Sequence, residues 1–490
     1  MLFNSAAFIL GFLPVAWLIY FLLNRYRWTL AARAWLVAAS LFFYSYWNIA
    51  YLPLLLCSLL VNFAIGAELS KRGRHGGRTR KGLLLAGIAG NLGALGYFKY
   101  TNFFLENLAA FTGEAVALQQ IALPLAISFF TFQQIAYLVD SFRGETAEYD
   151  FLRYALFVTF FPQLIAGPIV HHKEVMPQFA ARRAWVVNHR NVLRGLIIFG
   201  IGLFKKTVIA DTFAPIATAG FDGGRELDFF SAWATSLAYT FQLYFDFSGY
   251  SDMAVGGALL FNICLPINFN SPYKALDIQD FWRRWHITLS RFLRDYLYIP
   301  LGGNRHSELR TSANLMTTFV LGGLWHGASW MFVVWGALHG VALVVHRQWR
   351  RAGFRLPEPL AWAVTFLFVN ITWVFFRAGS LDDARRVIRG MVNFDSALHL
   401  TTARLPTNRL AWGGWLIDHA LRVLPPGLAG NLPVFLMFGM AFYLVSRPNA
   451  YESLNAPVTP LRTASGALLF SLGLYVCMAA TTSVFLYFNF

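Results

Sequence analysis

Leu321-Gly322-Gly323-Leu324-Trp325-His326-Gly327-Ala328-Ser329-Trp330 places an imidazole inside an apolar run that carries no Lys, Arg, Asp or Glu from Leu315 to Val345. An ionisable ring in hydrocarbon surroundings is costly unless it faces a protein interior or a wet cavity, so an intramembrane histidine is by default a candidate functional residue. The alternative on this stretch alone is a packed helix histidine bonded to a neighbour. Both readings stand until more of the chain is considered.

The surrounding chain settles the solvent. Of 490 residues, 57% are hydrophobic, 17% aromatic and only 13% charged, and the mean hydropathy is +0.50. A soluble domain cannot hide that much apolar surface. Runs approaching the roughly 20 residues that a helix needs to cross a bilayer recur from residues 6–23 to residues 467–487, without strands of alternating polarity. The fold class expected is therefore all-α and polytopic, one membrane domain over residues 1–490. The formal charge of +16 would suggest nucleic acid in a soluble protein. Here Lys71, Arg72, Arg74, Arg78, Arg80 and Lys81 fill one short loop and Arg347, Arg350, Arg351 and Arg355 another, the pattern of cytoplasmic loops. No nucleic-acid partner is expected. Cys57, Cys264 and Cys477 are dispersed and suggest neither a disulfide framework nor a metal site.

The same rule places the N-terminus outside the cytoplasm, since Arg25, Arg27 and Arg33 follow the first apolar run and the basic loop follows the third. Residues 151–170 disturb that count. The run contains Pro162, Gly167 and Pro168 and has basic residues on both sides. A broken or re-entrant helix fits it, with a full crossing as the alternative. Residues 381–394 read as an interfacial amphipathic helix.

Chemistry concentrates in residues 239–305. In Gln242-Leu243-Tyr244-Phe245-Asp246-Phe247-Ser248-Gly249-Tyr250-Ser251-Asp252, carboxylates and hydroxyls near an apolar run need partners. They either line a cavity or cap a helix starting near Asp252. In Asp280-Phe281-Trp282-Arg283-Arg284-Trp285-His286-Ile287-Thr288-Leu289-Ser290-Arg291-Phe292-Leu293-Arg294, a continuous helix would put Trp282, Trp285, Leu289 and Phe292 on one face and Arg284, Arg291 and Arg294 on another. Those arginines could hold donor phosphates or merely touch lipid headgroups. Without a serine or cysteine elbow nearby, a lone buried imidazole suits proton abstraction from a hydroxyl. Zinc on His286, His326 and His339 is the rival, but the i, i+4 pairing of helical zinc motifs is missing, so no metal is expected.

Phe281-Trp282-Arg283-Arg284-Trp285-His286, the run from Leu293 through Tyr298-Ile299-Pro300-Leu301-Gly302-Gly303-Asn304-Arg305, Gly322-Gly323-Leu324-Trp325-His326-Gly327 and the Tyr244–Asp252 stretch together resemble the signatures of membrane-bound O-acyltransferases. The likeness is to the bacterial branch with the alginate O-acetylation membrane subunit and the D-alanyl transferase of teichoic acid. It implies a ring of tilted helices with re-entrant segments and a central funnel, a signature core over about residues 239–345 and C-terminal helices over about 359–490. It maps the family's signature histidine, the catalytic base, onto His326 and the second histidine onto His286. It further implies Arg284, Arg294, Asp246, Ser248, Asp252, Trp325 and Asn304 around the funnel and the donor, and His339 in packing. The implied donor is a cytoplasmic thioester, acetyl-CoA, with no bound cofactor. The implied setting is the bacterial inner membrane, and the implied partners are membrane lipids, an SGNH-type periplasmic O-acetyltransferase or an acyl carrier, and polysaccharide export machinery. Tyr487, in the aromatic C-terminus, is either an acyl relay or a membrane-interface anchor. A transporter or flippase of a polymer precursor remains the reading from another class, as does an acyltransferase acting on lipid or protein.

Overall fold

The computed structural model describes residues 1–71, 77–114, 116–146, 150–397, 426–479 and 486, and every regular element among them is helical. Five of these helices are long and apolar enough to cross a membrane: Ala7–Arg25, Ile49–Ser70, Trp330–Arg351, Glu358–Arg377 and Pro460–Ala479. By its internal contacts the chain divides into two compact units.

The first unit takes in Met1–Leu203, Tyr250–Asn268 and the chain from Ala456. Phe3, Phe8, Phe43 and Phe161 form its aromatic centre, with Tyr250 stacked on Phe3 at 4.8 Å. The disturbed run behaves as a broken helix. Phe151–Thr159 ends at Phe160, whose ψ of 111° leaves the helical region, and Phe161–Leu164 adds one turn. A helix of nine residues rises only about 14 Å, less than half of a hydrocarbon core of about 30 Å. Residues 154–172 are buried throughout, so protein covers the irregular backbone. The Ser40 hydroxyl accepts the Phe161 amide at 3.1 Å.

The second unit takes in Phe204–Gly249 and Phe269–Asn455. Its tightest packing joins Glu308–His326 to Trp330–Arg351. These helices meet backbone to backbone at Gly323 and Gly336, whose alpha carbons lie 3.2 Å or less from where the other's β-carbon would stand. A β-carbon at Gly323 would collide with the Phe332 carbonyl oxygen and one at Gly336 with that of Phe319. Small residues permit this approach where apolar lipid offers no hydrophobic drive. Gly336→Ala is accordingly expected to destabilise the unit by about 1–3 kcal/mol, because backbone oxygens cannot swing aside as side chains do. A lowered unfolding temperature in detergent would show it; an unchanged one would refute the close approach.

Two expectations are corrected here. No helix starts near Asp252, because Phe229–Leu260 is one helix of 32 residues. Asp246, Ser248 and Ser251 therefore stand in mid-helix and cap nothing, and the unit boundary falls between Gly249 and Tyr250. Leu381–Met391 turns its apolar side to protein instead of lipid. Ala384, Val387 and Met391 are buried, and the Trp233 indole donates to the Met391 carbonyl at 3.0 Å. Arg386 donates to the carbonyls of Gly220 and Phe221, closing the end of Asp211–Asp222.

Candidate active site

His326 is the last residue of Glu308–His326, and extended Gly327 (φ −163°, ψ 152°) turns the chain before Ser329 caps Trp330–Arg351. The histidine thus sits at a helix end between two antiparallel helices. Its ring is 4% exposed and meets Trp335 at 5.2 Å, Phe376 at 5.1 Å and Trp325 at 5.0 Å. Three aromatic rings thus border the buried imidazole.

His286 reaches the same enclosure by a different device. The run expected to be one helix is two, Ile278–Arg284 and Ile287–Leu293, broken where Trp285 is extended and His286 adopts φ 42°, ψ 53°. Left-handed backbone is uncommon outside glycine, although histidine tolerates it better than most. The break turns the fully buried ring inward, 4.9 Å from Phe247, 6.3 Å from Trp325 and 6.5 Å from the His326 ring. Burial pushes its pKa down to about 3, so the ring is neutral at physiological pH and presents one donor and one acceptor.

His339 is committed to packing. The Trp282 indole donates to its Nδ1 at 3.2 Å, which leaves the proton on Nε2 to face the Thr372 hydroxyl oxygen at 3.1 Å, while Thr372 donates to the Val369 carbonyl. Trp335 lies between the two imidazoles, 4.8 Å from His339, and its buried indole nitrogen has no hydrogen-bond partner among the described residues.

The other expected residues divide. Trp325 is at the histidines. Ser248 is buried on the Phe229–Leu260 helix, its hydroxyl without a partner among the described residues. Asp246 is in a buried ion pair with Lys206 at 2.6 Å, and Lys206 also reaches Asp211 at 2.9 Å. Asp252 is partly exposed and belongs to the first unit. Arg284 bonds Asp280 at 2.9 Å and Arg294 forks onto Asp295 at 2.7 and 3.1 Å, so both guanidinium groups already hold carboxylates. Asn304 is exposed and lines a separate cavity with Arg347 and Arg350. Tyr487 lies outside the described residues.

Lys206 was not anticipated from the sequence. A lysine within an apolar run was its signal, and it sits on a π-helical turn, Lys205–Ala210, a distortion frequent at functional sites. Asn370, fully buried, was missed as well. It accepts from Ser236 at 2.9 Å and donates to Thr240 at 2.7 Å, locking Glu358–Arg377 against Phe229–Leu260 within the second unit.

The family model described as "MBOAT, membrane-bound O-acyltransferase family" matches residues 90–378. This chain belongs to that family. It is 48% identical to a peptidoglycan O-acetyltransferase of Helicobacter pylori, over 100% of this chain and 98% of the relative. It is 41% identical to "Probable alginate O-acetylase AlgI" of Azotobacter vinelandii, over 84% and 83% respectively. A teichoic acid D-alanyltransferase of Streptococcus thermophilus is 27% identical over 53% of this chain and 69% of the relative. The family member described here is thus an O-acyltransferase and a multi-pass membrane protein. The matched segment holds both His286 and His326.

Proposed function

We propose that this O-acyltransferase moves an acetyl group from a cytoplasmic thioester, acetyl-CoA, across the bacterial inner membrane for O-acetylation of an exported or cell-wall polysaccharide. The observation that carries the reading is the sheltered pair of imidazoles, His326 in its aromatic enclosure with the His286 ring 6.5 Å away. His326 is the base that takes a proton from the acceptor hydroxyl as its oxygen attacks the thioester carbonyl. His286, neutral and held by a strained backbone, orients the thioester or the hydroxyl. Exclusion of water from the enclosure protects the donor from hydrolysis, and placing both reactants there supplies the remaining acceleration. Relatives named for peptidoglycan and alginate O-acetylation support a polysaccharide as final acceptor. A periplasmic SGNH-type O-acetyltransferase receives the group and places it on the polymer, and the N-terminus faces the periplasm.

Purified protein in proteoliposomes, given radiolabelled acetyl-CoA, is expected to release free coenzyme A and to pass label to an acceptor on the opposite side. Intact donor after prolonged incubation, with cargo movement instead, would identify a transporter and end this reading.

A further inference from the structure

A buried indole is comfortable only when its N–H finds an acceptor. In the unit that holds the histidines, Trp233 donates to the Met391 carbonyl at 3.0 Å, Trp362 to the Tyr273 carbonyl at 2.9 Å and Trp282 to His339 Nδ1 at 3.2 Å. Trp335 breaks that pattern. It is 1% exposed, and its indole nitrogen meets no acceptor among the described residues.

The rings around it explain why. Trp335 touches His326 at 5.2 Å, His339 at 4.8 Å, Trp373 at 5.7 Å and Phe376 at 5.0 Å. Phenylalanine and tryptophan side chains offer a donor no lone pair. His339 already accepts from Trp282 at Nδ1 and turns Nε2 to Thr372. The position of the indole is fixed as well. It stacks on Trp373 with the planes 18° apart, and the next residue, Gly336, is pressed against the backbone of Gly323 and Phe319. A rigid N–H without a partner is unfavourable in the resting protein and becomes favourable when a reaction delivers negative charge to it.

Contact with His326 decides which charge that is. The two rings meet with their planes at 89°, so a donor and a proton acceptor stand side by side. A hydroxyl within roughly 2.6–3.2 Å of the base and a carbonyl oxygen about 2.7–3.1 Å from the donor become substituents of one carbon as the hydroxyl oxygen attacks. We propose that the Trp335 N–H donates to the carbonyl oxygen of the thioester as attack turns it into an oxyanion, while His326 takes the hydroxyl proton. The inference rests on the acyl-transfer reading proposed above. In the attack the new C–O bond forms and the carbonyl π pair moves onto the oxygen held by Trp335. On collapse that pair restores the carbonyl, the C–S bond breaks, and the departing thiolate takes the proton from the His326 imidazolium. An ester and a thiol result, with no further reactant.

The test places benzothienylalanine at position 335 of the full chain, which keeps the size of the ring and puts sulfur where the N–H stood. The kcat for acetyl-CoA is expected to fall about 100- to 1,000-fold, the usual effect of removing one such donor, with KM within about threefold and the unfolding temperature unchanged. Fluorotryptophan at the same position keeps the N–H and should stay near wild type. A benzothienylalanine protein within a few-fold of wild-type kcat would overturn the proposal, as would equal losses in the fluorotryptophan protein, which would mark packing. The bond itself is read from the infrared carbonyl stretch of a bound ketone analogue of acetyl-CoA, isotopically labelled at the carbonyl and carrying methylene in place of sulfur. A lower frequency in wild type than in the benzothienylalanine protein is expected, and equal frequencies would overturn the proposal. A shift that depends on Trp335 in a protein that consumes no thioester would keep the hydrogen bond and refute the proposed function.

Discussion

His326→Gln is expected to lower acyl transfer by about 100- to 10,000-fold, the usual contribution of a general base. Glutamine approximates the volume of the ring, so the packing of Trp335 and Phe376 around it is disturbed less than by alanine. The amide cannot take a proton at neutral pH. Coenzyme A release from labelled thioester measures the loss, and an unchanged elution profile and unfolding temperature show that the fold survives. Turnover within a few-fold of wild type would remove His326 from the chemistry. His339→Gln is the control, since that ring is held between Trp282 and Thr372 and its replacement should affect stability before rate.

Lys206→Met is expected to destabilise the protein by about 3–5 kcal/mol, because it strands the Asp246 carboxylate with no cation in a nearly dry interior. Coulombic attraction between two such groups repays their desolvation only while both are present. The double variant Lys206→Met/Asp246→Leu should recover most of the loss, as buried ion pairs exchanged for apolar residues of similar volume often do. Thermal unfolding of the single and double variants measures both effects. Equal stability of the wild type and Lys206→Met would refute a structural ion pair. Recovered stability without recovered turnover would show that Asp246, the residue before Phe247 and its contact with His286, also positions the site.

The sequence exposed its two histidines through chemistry that hydrocarbon makes costly. His326 stands out because nothing charged surrounds it, and His286 because tryptophans and arginines flank it. Helix breaks were harder to read. Pro162 and Gly167 announced the interruption after Thr159, but the one at Trp285-His286 has neither residue, and apolar periodicity ran straight through it. Polar residues at 246–252 read as cavity lining or as helix caps, because serine and aspartate are among the preferred caps. The partner of Asp246 is a lysine forty positions upstream, and no local spacing rule joins them.

Composition and motif order alone thus determined the membrane setting, the helical class and the family, and singled out both imidazoles as candidates, because each follows from residue types and their local order. Tertiary structure alone decided that His326 and His286 share one enclosure, that His339 is tied into packing, that Asp246 is neutralised by Lys206, and that the Trp335 ring meets His326 with its N–H unpartnered among the described residues. The physical reason is that ring contacts, buried ion pairs and left-handed turns depend on segments far apart in the chain. Their energies arise only once packing has removed water from both partners.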